Sequence, residues 1–163
     1  MAPERLEIER KFLVADDPPG LTSSPSSELR QGYLAVGSDA EVRLRDDGYV
    51  QVLTVKSGSG LQRGEVEVEL SAEQFEALWP TTVGKRLVKH RFELPAGNWI
   101  HQLDVYAGPL KGLKVVEVEF PSAADATDFE PPDWFGREVT NDARYKNASL
   151  ALQGLPEKEE AIG

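Results

Sequence analysis

The 163-residue sequence has no cysteine and two histidines, His90 and His101. The missing cysteine excludes a disulfide scaffold, a thiol nucleophile and every cysteine-based zinc site. Two histidines are too few for a histidine-rich metal centre. A metal here would be held by carboxylates, which suit the hard ions Mg²⁺, Mn²⁺ and Ca²⁺. No apolar run approaches the roughly 18 residues of a membrane helix. The charged residues 1–11 lack the apolar stretch of a secretory signal. Both absences lead us to expect a cytoplasmic protein with no membrane partner. Basic residues are outnumbered 18 to 28, for a net charge of −10. Nucleic acid is bound through basic surfaces, so it is not an expected partner either.

What is present is alternation. Period-two patterns of apolar and charged residues predict eight strands: Leu6–Val14, Gln31–Val36, Glu41–Arg45, Tyr49–Lys56, Arg63–Leu70, Leu87–Leu94, Trp99–Tyr106 and Lys114–Phe120. Asp46-Asp47-Gly48 and Pro95–Asn98 read as hairpin turns. Ser71 caps a predicted helix that stops before Pro80, Ser122 caps a second through Phe129, and Asp142–Leu152 forms a third that ends at Gly154. The Pro- and Ser-rich segment Asp16–Ser27 reads as a loop. The sum is an α+β fold with a mainly antiparallel sheet, in one domain of residues 1–154 with a disordered tail, 155–163.

In a strand, residues i and i+2 share a face. Glu7, Glu9 and Lys11 therefore lie opposite Leu6, Ile8 and Phe12. Arg43 pairs with Arg45, Glu65 with Glu67 and Glu69, Lys89 with Arg91, and Glu117 with Glu119. A solvated sheet face explains one or two such strands. Here the charges are sorted by sign from strand to strand, and eight strands are enough to close round a small ligand. Closure with the apolar faces outward gives an eight-stranded antiparallel β-barrel with a charged interior, flanked by a few helices. Ions enclosed there need partners, because desolvation costs several kcal/mol per ion. Lys11, Arg43, Arg45, Lys56, Lys89 and Arg91 suit a polyanion, and Glu7, Glu9, Glu117 and Glu119 suit a divalent cation bridging it. The chemistry indicated is metal-assisted phosphoryl transfer.

Taken in order, these pieces resemble the CYTH, or triphosphate tunnel metalloenzyme, family. The likeness runs through Glu7-Ile-Glu9-Arg-Lys11, Gln31-Gly-Tyr33, Arg43-Leu-Arg45, Thr54-Val-Lys56, Arg63-Gly-Glu65-Val-Glu67, Lys89-His-Arg91, Asp104-Val-Tyr, Glu117-Val-Glu119 and the segment Gly136–Asn147. The resemblance implies a β-tunnel that binds a small-molecule triphosphate with Mg²⁺ or Mn²⁺. It implies hydrolysis of inorganic triphosphate, of a nucleoside or thiamine triphosphate, or, in one branch, cyclisation of ATP.

Carried over by position, Glu7, Glu9, Glu117 and Glu119 would hold metal. Lys11, Arg43, Arg45, Lys56, Lys89 and Arg91 would grip phosphates. Glu65, Glu67 and Asp104 would serve a second metal or orient water. Lys11 is either a phosphate anchor or a general base, and Tyr33 either faces it or packs. His90, His101 and the three tryptophans read as structural, and Tyr145 and Asn147 as pins for the last helix. The chain's length, its lack of a leading His-Phe segment and the absence of an aromatic base platform lean towards inorganic triphosphate. A non-catalytic phosphate sensor ranks below an enzyme because all three acidic strands are intact, and a monomer or a homodimer is equally compatible with the sequence.

The enclosed-charge reading predicts that Arg43→Ala and Glu119→Ala each abolish triphosphatase activity, measured as phosphate release. A merely solvated face predicts no change in anion or metal binding.

Overall fold

The computed structural model describes residues 5–6, 8–58 and 64–156. Ten strands form one antiparallel sheet: β1 (Arg5–Leu6), β2 (Glu9–Val14), β3 (Ser26–Val36), β4 (Ala40–Asp46), β5 (Gln51–Ser57), β6 (Gly64–Leu70), β7 (Arg86–Ala96), β8 (Trp99–Tyr106), β9 (Lys114–Glu119) and β10 (Phe135–Glu138). Their spatial order is β1-β6-β5-β4-β3-β7-β8-β9-β2-β10. Three helices accompany them: α1 (Ala72–Leu78), α2 (Ala123–Asp128) and α3 (Asn147–Gln153).

This corrects the expected eight-stranded closed barrel. The first predicted strand is two strands serving opposite flanks of the sheet: β1 pairs with β6, whereas β2 pairs with β9 and β10. No ladder among the described residues joins the flanks into a ring, so the sheet is open. Leu6 and Glu9 are nevertheless three residues apart, a reach of at most about 11 Å. The sheet must therefore curl until its flanks meet at this short chain segment.

Other differences have local causes. β3 begins at Ser26, inside the predicted loop, because Ser26 to Gly32 pair along β7 from Phe92 to Arg86. β10 is a four-residue edge strand with an irregular register, too short to show an alternation. The predicted last helix breaks at Lys146, which is extended (φ −66°, ψ 140°). A 3₁₀ turn, Ala143–Tyr145, precedes the break, and the Asp142 side chain accepts from the Arg144 amide to cap it. The Ser71 capping box with Gln74, the Ser122 cap and the Gly154 terminus are as expected. In the β4–β5 turn, Gly48 takes φ 92° while the Asp46 and Asp47 carboxylates accept the amides of Gly48, Tyr49 and Val50. Of the expected tail, 157–163 lie outside the described residues.

On most strands the apolar face points outward, and the cover is thickest over β2, β8 and β9. Phe12, Leu103, Val116, Val118, Phe120 and Phe135 form one core, against which Trp99, Phe129 and Trp134 pack. His101 sits there too, edge-on to Phe129 and Phe135, and burial pushes its pKa down. Arg10, on this same outer face, donates to Glu138 and to the carbonyls of Ala126 and Phe129, tying down the end of α2. Leu87, Tyr106, Leu110, Val115 and Leu150 form a second core beneath α3. His90 stays on the outside, 3.8 Å from Glu28. Among the described residues no helix is long and apolar enough to cross a membrane.

Gly32 shows how tightly the outer cover fits. A Cβ built there would lie 2.6 Å from Thr82 Oγ1 and 2.8 Å from the Trp79 ring. Gly32→Ala is expected to destabilise the fold by about 1–3 kcal/mol, the usual cost of overpacking, read as a lower midpoint in urea unfolding.

Candidate functional site

With the apolar faces turned out, the inner faces of the curled sheet enclose a cavity of about 460 Å³. Six carboxylates line it (Glu9, Glu41, Glu65, Glu67, Glu117 and Glu119), together with six cations (Lys11, Arg43, Arg45, Lys56, Arg91 and Lys146). The C-terminal segment contributes Thr140, Asn141 and Asn147 to the lining. Strand alternation thus gathers residues scattered from position 9 to position 147 around one space.

One wall is acidic. Along the β2–β9 ladder, Glu9 stands opposite Glu119 and Lys11 opposite Glu117. The Glu117 carboxylate beside Glu9, helped by burial, pushes the Glu9 carboxyl up to about 8. Burial would also raise Glu117, but Lys11, Arg91 and Lys89 outweigh it and hold that group well below the usual carboxylate range. The pair therefore shares one proton at neutral pH. Lys11 Nζ lies 3.4 Å from Glu117 and donates to the Tyr145 carbonyl at 3.2 Å. Burial alone would lower the Lys11 pKa, but Glu117 and Glu9 prevail and raise it.

The basic wall lacks such partners. Arg43 is buried, reaches Thr54 Oγ1 at 3.4 Å and leaves its Nε without a hydrogen-bond partner. Arg45 donates to the neutral side chain of Gln31 at 3.0 Å. Burial, then Arg43 and Arg91, push the Arg45 pKa down. A guanidinium keeps its proton in proteins, so an anion is the natural relief for this strain. Across the cavity mouth Lys56 stands between Glu41 and Glu65 in the β4–β5–β6 register. Glu65 is buried with Oε2 unpartnered, whereas Glu67 is exposed.

Two expected site residues stand behind the wall instead of in it. Lys89 is wholly buried, 2.7 Å from Asp104 Oδ2, and Asp104 accepts from Arg91 Nε and Nη2 at 2.8 and 2.9 Å. Burial, then Arg91 and Arg45, drive the Lys89 pKa down to about 7 against the pull of Asp104. Burial works against ionised Asp104, but Lys89 and Arg91 keep its pKa low. Of this trio, Arg91 lines the cavity. Tyr33 lines it from β3, which neighbours β4 and β7, so Tyr33 does not face Lys11 across adjacent strands. Burial pushes its hydroxyl up to about 12. Glu7 lies outside the described residues.

Sequence reasoning missed Glu41, although it sits two residues before Arg43 and shares its face. It also missed the lining role of Lys146, Thr140, Asn141 and Gln102, of which the first three come from irregular backbone without periodicity. Among the described residues no three acidic or histidine side chains form a ready metal cluster.

No protein-family model matches the chain. The inorganic triphosphatase of Nitrosomonas europaea is 52% identical over 150 residues, covering 90% of this chain and 97% of that protein. The inorganic triphosphatase of Acetivibrio thermocellus is 38% identical over 153 residues, covering 88% and 92%. Among solved structures, the crystal structure of the inorganic triphosphatase NE1496 matches with a TM-score of 0.71 at 46% identity, covering 92% of this chain and 97% of that one.

The shared proton has a thermodynamic signature. Glu9 holds its proton up to about pH 8 when folded, against an ordinary value of 4.5. Between those limits the folded state binds more protons than the unfolded, so stability falls as pH rises. The metal-free protein is expected to lose on the order of a few kcal/mol across that window. Urea unfolding at pH 5 and pH 7.5 in chelator measures the loss, and Glu9→Gln should remove most of it.

Proposed function

The chain belongs to the inorganic triphosphatase family, and on that premise we propose that it hydrolyses inorganic triphosphate to pyrophosphate and phosphate. The observation that carries this reading is the pair of arginines, buried Arg43 and half-buried Arg45, which face neutral partners across a cavity from paired carboxylates. A multiply charged anion with a bound cation balances both walls together, whereas a simple anion or a neutral substrate balances neither.

The reading includes a divalent cation, Mg²⁺ or Mn²⁺. The donors fit: Glu9, Glu117 and Glu119 are oxygen ligands on one wall, and Glu9 and Glu117 hold a proton between them where a cation would sit. Mg²⁺ needs only one or two protein carboxylates, because the substrate's own phosphates and water complete its shell. When bound, the ion neutralises charge on the phosphate oxygens as the phosphorus–oxygen bond breaks.

The chain's own groups do the rest. Arg43, Arg45 and Arg91 hold the phosphate oxygens and stabilise their charge. Lys11, with its raised pKa, remains an ammonium ion, so it serves as an anchor and not as the base. Lys56 is a further phosphate contact. Glu65, whose buried oxygen has no partner, and the neighbouring Glu67 orient the attacking water and accept its proton. The water oxygen attacks a terminal phosphorus in line, the bridging bond opens, and pyrophosphate leaves. Tyr33, the sole aromatic side chain in the lining among the described residues, is buried and offers no platform for a base or a thiazolium ring. This favours the unsubstituted triphosphate over nucleotide or thiamine substrates and over ATP cyclisation.

Phosphate release from tripolyphosphate, ATP and thiamine triphosphate, each with Mg²⁺, Mn²⁺ or chelator, tests the proposal. Tripolyphosphate should be cleaved fastest and chelator should stop turnover. Arg45→Ala should lower kcat/KM by about 10²–10³-fold. Cyclic AMP formed from ATP while tripolyphosphate stays intact would overturn the reading, as would tight binding without turnover.

A further inference from the structure

Arg91 reaches the cavity from a chain of contacts that continues behind it. Its guanidinium donates twice to Asp104, at 2.8 and 2.9 Å. The Asp104 Oδ2 that accepts from Arg91 Nη2 also lies 2.7 Å from Lys89 Nζ. Lys89 in turn donates to Asn147 Oδ1 at 3.4 Å, and the same oxygen accepts from the Tyr106 hydroxyl at 2.5 Å. The Lys89 ammonium also lies 5.5 Å from the centre of the Tyr106 ring. Lys89, Asp104 and Tyr106 are all buried.

Asn147 differs from the other members in where it comes from. It is the first residue of α3, just past the extended Lys146 that breaks the C-terminal segment. The rest of the network lies on β7 and β8, which are adjacent strands with Arg91 opposite Asp104 and Lys89 opposite Tyr106. α3 is thus joined through a single amide oxygen to the back of the phosphate-gripping arginine. Without that oxygen, buried Lys89 and the Tyr106 hydroxyl would compete for the remaining acceptor nearby, Asp104, and loosen its hold on Arg91.

We propose that Asn147 is a positioning residue for the anion site: it fixes Lys89 and Tyr106 so that Asp104 holds Arg91 aimed into the cavity. Lys89 then acts through Asp104 and touches no phosphate. The inference rests on the triphosphatase reading for its kinetic consequence, though not for its geometric one.

The test uses Asn147→Leu and Tyr106→Phe, with Asn147→Asp as the variant that keeps the acceptor oxygen. Two readouts are taken on the full chain. The first is steady-state hydrolysis of tripolyphosphate. Asn147→Leu should raise KM about tenfold and change kcat less than threefold, and Tyr106→Phe should shift KM in the same direction by less. The second is the ¹⁵N-edited NMR signal of the Arg91 Nε–H group in the unliganded protein. Its protection from solvent exchange should fall at least tenfold in Asn147→Leu and persist in Asn147→Asp. If Arg91 protection is unchanged in Asn147→Leu, the inference fails. A raised KM in that case means that Asn147 meets the substrate directly. Loss of fold in Asn147→Leu with unaltered Arg91 protection in Tyr106→Phe also overturns it. Wild-type protein that leaves tripolyphosphate intact refutes the function instead, and the Arg91 signal still decides the positioning role.

Discussion

Like charges held close together inside a folded chain govern the rest of this molecule. Twelve ionisable side chains among the described residues converge on one cavity, and although Glu9 shares β2 with Lys11 and Glu41 shares β4 with Arg43, two like-charged groups stand out: Glu9 with Glu117 and Glu119, and Arg43 with Arg45 and Arg91. Opposite signs do meet across some ladders, Lys11 against Glu117 and Lys56 between Glu41 and Glu65. Within each like-charged group the side chains still repel one another. The strain is visible on both sides: one carboxyl of the Glu9–Glu117 pair keeps its proton, and Arg45 is pressed towards its uncharged form by Arg43 and Arg91. A ligand that carries several negative charges together with a cation relaxes both walls at once. Binding strength is therefore stored in the unliganded fold as unmet electrostatic demand.

Such a cavity has to be supported from outside. The sheet's outer surface supplies much of the apolar burial through the aromatic cluster around Phe12, Phe120 and Phe135, while Leu87, Tyr106 and Val115, clustered beneath Leu150 of α3, lie on the inner rows that also carry Lys89, Asp104 and Glu117. β2, β8 and β9 thus carry an apolar outer row one residue out of phase with the row that holds charge. The covering elements are themselves pinned by polar contacts on the outside, such as the Arg10 guanidinium over the end of α2 and the Arg86 guanidinium over the Trp79 ring, 4.4 Å from its centre.

This division explains how far the sequence can be read. Alternation settles which side chains share a face, so the inward set of Lys11, Arg43, Arg45, Arg91 and Glu117 was legible, as were β8 to the residue and the Ser71 helix start. Alternation does not say how deep a residue lies along the curled surface. Lys89 and Arg91 share a row, yet one is enclosed with Asp104 and the other meets the cavity. Closure was also beyond reach, because the break in the first strand transfers the chain from one flank of the sheet to the other without any change in composition. The lining residues from Thr140 to Ala148 come from turns and a helix start, where no period marks an inward side.

The contrast between the two sets of arginines has a consequence for selectivity. Arg91 is fixed by a bidentate carboxylate, which sets its direction before any ligand arrives. Arg43 and Arg45 have only weak or neutral hydrogen-bond partners, so under the proposed reading the anion completes their direction. A cavity built this way rewards charge at several points along a short chain of phosphates and offers nothing to an organic substituent. Burying a base or a ring against glutamates and guanidinium groups would strip hydration from those ions without returning a contact of equal strength. Under the proposed reading, discrimination against substituted triphosphates needs no dedicated steric barrier. It follows from the same uncompensated charges that attract the unsubstituted one, and it weakens only if apolar surface is introduced where the lining is now ionic.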